Sequence, residues 1–187
     1  MKTICIIGSP RSKGSTSFIV DKIIEGMKAH KIEVVRYVLA EQNINFCKGC
    51  RRCEVSGECV QHDDMHKIMN DLLDSDIVLL ASPSYWSDVT AHMKVFIDRS
   101  LPFCDTNSGV SSVPSGKVGL SVALRAGSSK KETQHIIDTF EHYFGHLGIK
   151  PIGRLTIENI REVEDIQKNT QKIKEAYNLG FNAIINH

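Results

Sequence analysis

TICIIGSPRSKGSTS, residues 3 to 17, joins a short β-branched run to a turn crowded with hydroxyls, and the turn leads into a helical pattern. Residues 3 to 8 read as a strand, and Ile19, Ile23, Ile24 and Met27 fall on one helical stripe. A strand that enters a helix through such a turn leaves free backbone N–H groups at the helix start. The hydroxyls of Ser9, Ser12, Ser15, Thr16 and Ser17 and the guanidinium of Arg11 can converge on the same point, which is the composition of an anion cradle. The turn lacks Gly-Lys-Ser/Thr and lacks Gly-x-Gly-x-x-Gly, so a nucleoside triphosphate and a Rossmann-bound NAD are disfavoured. The simpler alternative is a polar turn capped by serine, but a cap needs neither five hydroxyls nor an arginine.

Working outward, four more strand candidates follow: EVVRYVL (33 to 39), DIVLLASP (76 to 83), KVGLSVAL (117 to 124) and IGRLTIE (152 to 158). They alternate with helical stripes, the pattern of a parallel α/β sheet covered on both faces. Met65, Ile68, Met69, Leu72 and Leu73 mark a second helix, and Met93, Phe96 and Ile97 a third. Ile136, Ile137, Phe140, Phe144 and Leu147 mark a fourth, and Val163, Ile166, Ile173, Tyr177 and Ile184 a fifth. Ser129 before Glu132 and Asn159 before Glu162 read as capping signals for the last two, and Asp63 and Asp64 as caps of the Met65 helix. The longest irregular stretches are residues 43 to 62 and 101 to 116, of a length that is usually functional or mobile.

A chain of 187 residues suits one domain, here expected over 1 to 187 with a cysteine-rich insert at about 43 to 62. The apolar content of 41%, charged content of 24% and formal charge of +1 argue against nucleic acid as the main partner. The apolar run in MKTICIIGSP ends after four residues, short of a signal-peptide core or a membrane span, so we expect a cytoplasmic protein with reduced thiols.

Ligands of open α/β sheets bind beyond the carboxyl ends of the strands, so the loops after the third and fourth strands should share the site. SPSYWSDVT offers Pro83, Ser84, Tyr85, Trp86 and Ser87, whose flat rings and free amides suit a planar heteroaromatic group; an isolated aromatic pair would equally well be core. LRAGSS offers the charge of Arg125, and Gly127 there permits close backbone approach.

With these residues assembled, the chain resembles the flavodoxin-like NADPH-dependent FMN reductase superfamily, through GSPRSKGSTS (8 to 17) and SPSYWSDVTAHMKVFIDR (82 to 99). CKGCRRCEVSGECVQHDDM, from residue 47, narrows the resemblance to iron-sulfur flavoproteins. The resemblance covers nearly the whole chain. It implies a flavodoxin-like doubly wound five-stranded parallel sheet in order 2-1-3-4-5, a three-layer α/β/α fold. It also implies FMN held by Ser9, Arg11, Ser15, Thr16, Ser17, the 83 to 87 loop, Arg125 and Gly127, and a [4Fe-4S] cluster. A homodimer or homotetramer follows from it as well, with ferredoxin or NAD(P)H as redox partner. Ser15 stands where relatives often carry asparagine, and LRAGSS lacks their glycine-rich run.

Cys47, Cys50 and Cys53 recur every third residue, and Cys59 returns after a turn at Gly57, so one loop can aim four sulfurs at a single cubane. Structural zinc is the main rival, although its all-cysteine sites more often use two separated Cys-x2-Cys knuckles, and bare thiols remain a third reading. Lys48, Arg51 and Arg52 stand among the sulfurs as counter-ions or as a plain solvated basic loop. Cys5, inside the first strand, reads as buried and inert, Cys104 has no evident partner, and the eight histidines read as scattered. The resulting expectation is an FMN and [4Fe-4S] electron-transfer oxidoreductase without acid-base residues of its own. The alternatives are a clusterless NAD(P)H-dependent FMN or quinone reductase and a flavin-binding module with a structural zinc loop.

Overall fold

The computed structural model describes residues 1–106 and 109–185; of the 101 to 116 stretch, residues 107 and 108 lie outside the described residues. Five strands form: β1 (Lys2–Ile7), β2 (Glu33–Val38), β3 (Ile77–Pro83), β4 (Val118–Leu124) and β5 (Lys150–Ile157). They pair in parallel in the order β2-β1-β3-β4-β5, as the resemblance implied. The helices are α1 (Ser15–Lys28), α2 (Cys53–Ser56), α3 (Met65–Leu73), α4 (Ala91–Arg99), α5 (Lys130–His146), α6 (Val163–Gln167) and α7 (Thr170–Ile185). Among the described residues no helix is long and apolar enough to cross a membrane.

The strands are apolar on both sides because both faces are covered. Successive side chains point to opposite faces. Ile4, Ile6, Val78 and Leu80 therefore pack with the stripes of α3, α4 and α5, whereas Cys5, Ile7, Leu79 and Ala81 pack with those of α1, α6 and α7. Each fully buried Ile or Leu in these layers contributes about 2 kcal/mol from apolar burial. On the second face α1 and α7 meet backbone to backbone: a Cβ on Gly180 would lie 2.0 Å from the Ile23 carbonyl oxygen, and one on Gly26 2.1 Å from that of Tyr177.

The last stripe is two helices rather than one. The chain breaks after Gln167, and the Asn169 side chain accepts from the Lys172 N–H at 3.1 Å to start α7. Asn159 caps nothing; it sits at φ 61° in the turn after β5, and Glu162 occupies the cap position of α6, its N–H donating to Asp165. Ser129 is the cap residue of α5, but its side chain makes no capping bond.

Candidate functional site

The carboxyl ends of β1, β3 and β4 open into one cleft. The loop after β1 supplies Ser9, Arg11, Ser15 and Thr16 to its wall, and the loop after β3 supplies Pro83, Ser84 and Tyr85. Arg125 comes from the end of β4, and Arg161 from beyond β5. Two contacts hold the first two loops together: Gly8 N–H donates to the Ala81 carbonyl at 2.8 Å, and the Thr90 hydroxyl donates to the Gly8 carbonyl at 2.6 Å. The fit leaves no room for a side chain, because a Cβ on Gly8 would lie 2.8 Å from Met93 Cβ.

The turn from residue 9 to 14 closes on itself, with Arg11 N–H donating to Ser9 Oγ at 3.2 Å and Gly14 N–H donating to the Arg11 carbonyl at 3.0 Å. Gly14 then starts α1 with no capping side chain, and the first turn carries no acidic residue. The leading N–H groups of a helix have no intrahelical acceptor, and they form its positive end. Beside them the Ser17 hydroxyl is buried without a partner. An uncapped helix start and nearby arginines together fit a phosphate.

The cations are partly paired. Arg11 reaches Glu162 at 3.3 Å with both side chains exposed, a weak contact that a ligand can replace. Arg125 is more tightly held, 2.6 Å from Glu132, and its Nε is buried without a partner. Glu132 also accepts from the Ser84 hydroxyl at 3.2 Å, so it links the β3 and β4 loops.

Of the expected residues, Ser12, Ser17, Trp86, Ser87 and Gly127 lie off the cleft wall. Tyr85 and Asp88 exchange backbone hydrogen bonds across a tight turn whose central residues, Trp86 and Ser87, take φ 53° and 67°. That turn throws Trp86 fully into solvent. Ser17 is buried behind the helix start. A Cβ on Gly127 would sit 2.6 Å from the Arg125 guanidinium, so the glycine leaves that side chain its room.

The cysteine loop is a second feature, tied at both ends by one residue. Arg99, at the end of α4, is fully buried. Its guanidinium donates to the Asn45 carbonyl at 2.6 Å, to the Gln61 carbonyl at 3.4 Å, and to both Asp63 oxygens at 2.7 and 3.0 Å. Asp63 also accepts from the Asn45 and Met65 N–H groups, and Gln61 Nε2 donates to the Phe46 carbonyl at 3.0 Å. The chain before Cys47 and the chain after Cys59 are thus clamped side by side. Burial alone would raise the Asp63 carboxyl, but the Arg99 fork and the Asn45 and Met65 donors outweigh it and hold the group at about 2. Asp63 is therefore the carboxylate of a buried ion pair as well as a helix-start acceptor, and Asp64 accepts from the Asn43 N–H instead of capping.

Between the clamped ends the loop winds through Gly49, Arg51 and Gly57, all at positive φ, and forms the single turn α2. Cys47 and Cys50 are exposed, and Cys53 and Cys59 half-buried. The Cys53 thiol is pushed up by burial, against a backbone hydrogen bond, and further by Cys59, Cys47 and Cys50, so each of the other three sulfurs lies within electrostatic reach of Cys53. Cys50 is pulled the other way, chiefly by the Arg52 backbone and side chain. Arg51 is engaged by Glu54 at 2.9 Å. Among the described residues no three His, Cys, Asp or Glu side chains are arranged to hold a metal ion. The donor set, four thiols on one short clamped loop, nevertheless fits an iron-sulfur cluster in kind. Cys5 is buried in β1 with its thiol pushed up to about 12 by desolvation, which makes it inert.

The family model described as NADPH-dependent FMN reductase matches residues 1–162. The chain belongs to this family. It is a flavin-dependent oxidoreductase. An iron-sulfur flavoprotein of Archaeoglobus fulgidus is 37% identical over 184 residues, covering 95% of this chain and 80% of that one. An NAD(P)H-dependent FMN-containing oxidoreductase of Bacillus subtilis is 28% identical over 96% of both chains. The solved NAD(P)H:quinone oxidoreductase of Methanothermobacter marburgensis superposes on all of this chain and 98% of its own, with a TM-score of 0.74 at 14% identity, which shows the shared fold.

For this member of the NADPH-dependent FMN reductase family, sequence reasoning overlooked Arg161 and Arg99. Arg161 carries no motif and reaches the cleft only because β5 ends beside β4. Arg99 had a legible signal, an arginine on the otherwise apolar Met93 and Phe96 stripe of α4.

Proposed function

We propose that the chain is an FMN-dependent electron-transfer oxidoreductase whose loop of Cys47, Cys50, Cys53 and Cys59 holds a [4Fe-4S] cluster coupled to the flavin. FMN supplies two-electron or one-electron chemistry, and a cubane cluster supplies one-electron transfer. The chain's own part is to bind and to orient. Ser9, Ser15, Thr16 and the uncapped start of α1 hold the phosphate, and Arg11, Arg125 and Arg161 supply its countercharge. Pro83, Ser84 and Tyr85 face the ring. Gly127 gives Arg125 its room, and Ser17 lies behind the phosphate. Trp86 and Ser87 shape the turn that presents Tyr85.

The observation that carries the cluster reading is the Arg99 clamp. A fully buried guanidinium spent on closing a loop of four thiols is a strong investment in the geometry of those thiols. The iron-sulfur flavoprotein relative, similar over 95% of this chain, supports the same reading. A single domain, a homodimer or homotetramer, and ferredoxin or NAD(P)H as donor belong to it. The test is the rate of flavin reduction by a one-electron donor in wild type and Cys53→Ser, each first shown to retain FMN. A slower rate in the variant, with unchanged direct reduction by dithionite, supports the coupling, and equal rates refute it. The similarity to the Bacillus subtilis oxidoreductase favours the second reading, a clusterless NAD(P)H-dependent reductase. Steady-state NAD(P)H oxidation by protein free of iron distinguishes it.

A further inference from the structure

His142 and His146 lie four residues apart on α5 and so share one face. Their Nε2 atoms approach to 3.2 Å with the rings nearly perpendicular. The other nitrogen of His146, Nδ1, lies 2.7 Å from Asp105 Oδ1. An ionised carboxylate only accepts, so Nδ1 of His146 carries the proton and, in the neutral ring, Nε2 turns a lone pair toward His142. Two imidazoles on one tetrahedral zinc, at about 2.0 to 2.1 Å each, place their nitrogens roughly 3.3 Å apart. The observed separation is within about 0.2 Å of that bite. His62 and His66, the same distance apart in sequence but with His62 before the start of α3, stack at 15° with centroids 5.5 Å apart instead. Both α5 rings open onto a cavity of about 610 Å³, whose wall also includes Cys47, Asp98 and Cys104.

We propose that His142 and His146 form a site for a divalent cation of the zinc class, with Asp105 fixing the tautomer and orientation of His146. Imidazole pairs suit zinc, copper and nickel, and a carboxylate on the far ring nitrogen raises the basicity of the ligand. No third protein ligand converges on the pair among the described residues, so water fills the remaining positions and the cation is exchangeable. The site needs neither the flavin nor the cysteine loop.

The competing explanation is a plain hydrogen bond from Nε2–H of His142 to Nε2 of His146, and the two predict different tautomers. The experiment is 15N-histidine NMR of the full chain titrated with Zn²⁺ alone, in wild type and in a variant with Cys47, Cys50, Cys53 and Cys59 all replaced by serine, to remove binding at the thiols. One equivalent beyond thiol binding should move the Nε2 resonances of His142 and His146 together and convert His142 to the Nδ1–H tautomer, while His30 and His135 stay in place. Asp105→Asn should weaken that binding about tenfold, and His142→Ala should abolish it. His142 is exposed and Asp105 half-buried, and an unchanged thermal midpoint confirms the fold of both variants. His142 keeping its Nε2 proton in excess Zn²⁺, or equal zinc affinity in wild type and His142→Ala, would overturn the proposal.

Discussion

Replacing Arg99 with methionine removes the charge that ties the cysteine loop shut while roughly preserving its apolar stem. The Asp63 side chain is then left 1% exposed, with only the Asn45 and Met65 donors to compensate its charge. Removing one partner of a buried ion pair costs about 3 to 5 kcal/mol, so urea unfolding at pH 7 should show a loss of that size in Arg99→Met. Asp63→Asn should lose a comparable amount, and the double variant less than the sum, because neither charge is then stranded. The pH dependence gives an independent check. Asp63 is held at about 2 in the folded chain against an ordinary 3.8, a difference worth about 2 kcal/mol. A depressed carboxyl stabilises the fold above its unfolded value and loses that contribution as pH falls toward its folded value. The stability gap between wild type and Asp63→Asn should therefore be full above about pH 5 and shrink by about 2 kcal/mol toward pH 2. A cost below about 0.5 kcal/mol for Arg99→Met, or a gap that does not change between pH 5 and pH 2, would refute the clamp.

Arg11→Ala should weaken FMN binding about tenfold or more, the value of a charge-assisted phosphate contact, as measured by equilibrium titration; unchanged affinity removes Arg11 from the site. Gly180→Ala should destabilise the chain by about 2 kcal/mol or more despite alanine's helix propensity, because its Cβ meets the Ile23 carbonyl; a neutral unfolding curve contradicts the close α1 and α7 contact. Cys50→Ser should lower iron and sulfide uptake without releasing FMN, since the phosphate loop and the cysteine loop are held by different contacts.

The strands were legible because each β-branched run is bounded by a turn, and their order in the sheet came from the family resemblance rather than from the runs themselves. The split between α6 and α7 was not. Val163 and Ile173 share an apolar period across the break, and the signal that ends one helix and starts the next is a single asparagine. In the candidate site, hydroxyl content pointed to the turn after β1, whose residues are contiguous in sequence. The resemblance sets Trp86 beside the ring, but its full exposure follows from a turn with two residues at positive φ, which no local pattern signalled. Arg99 and Asp63 lie 36 positions apart, and their pairing depends on how α4 docks against the loop.

The most direct measurement is the content of FMN, iron, acid-labile sulfide and zinc in protein purified and reconstituted without oxygen. About one FMN with about four iron and four sulfide per chain is the expected result, falling in iron and sulfide but not in FMN when Arg99 or Cys50 is replaced. FMN bound to a chain that takes up zinc, or no metal at all, in place of iron and sulfide would contradict the iron-sulfur assignment.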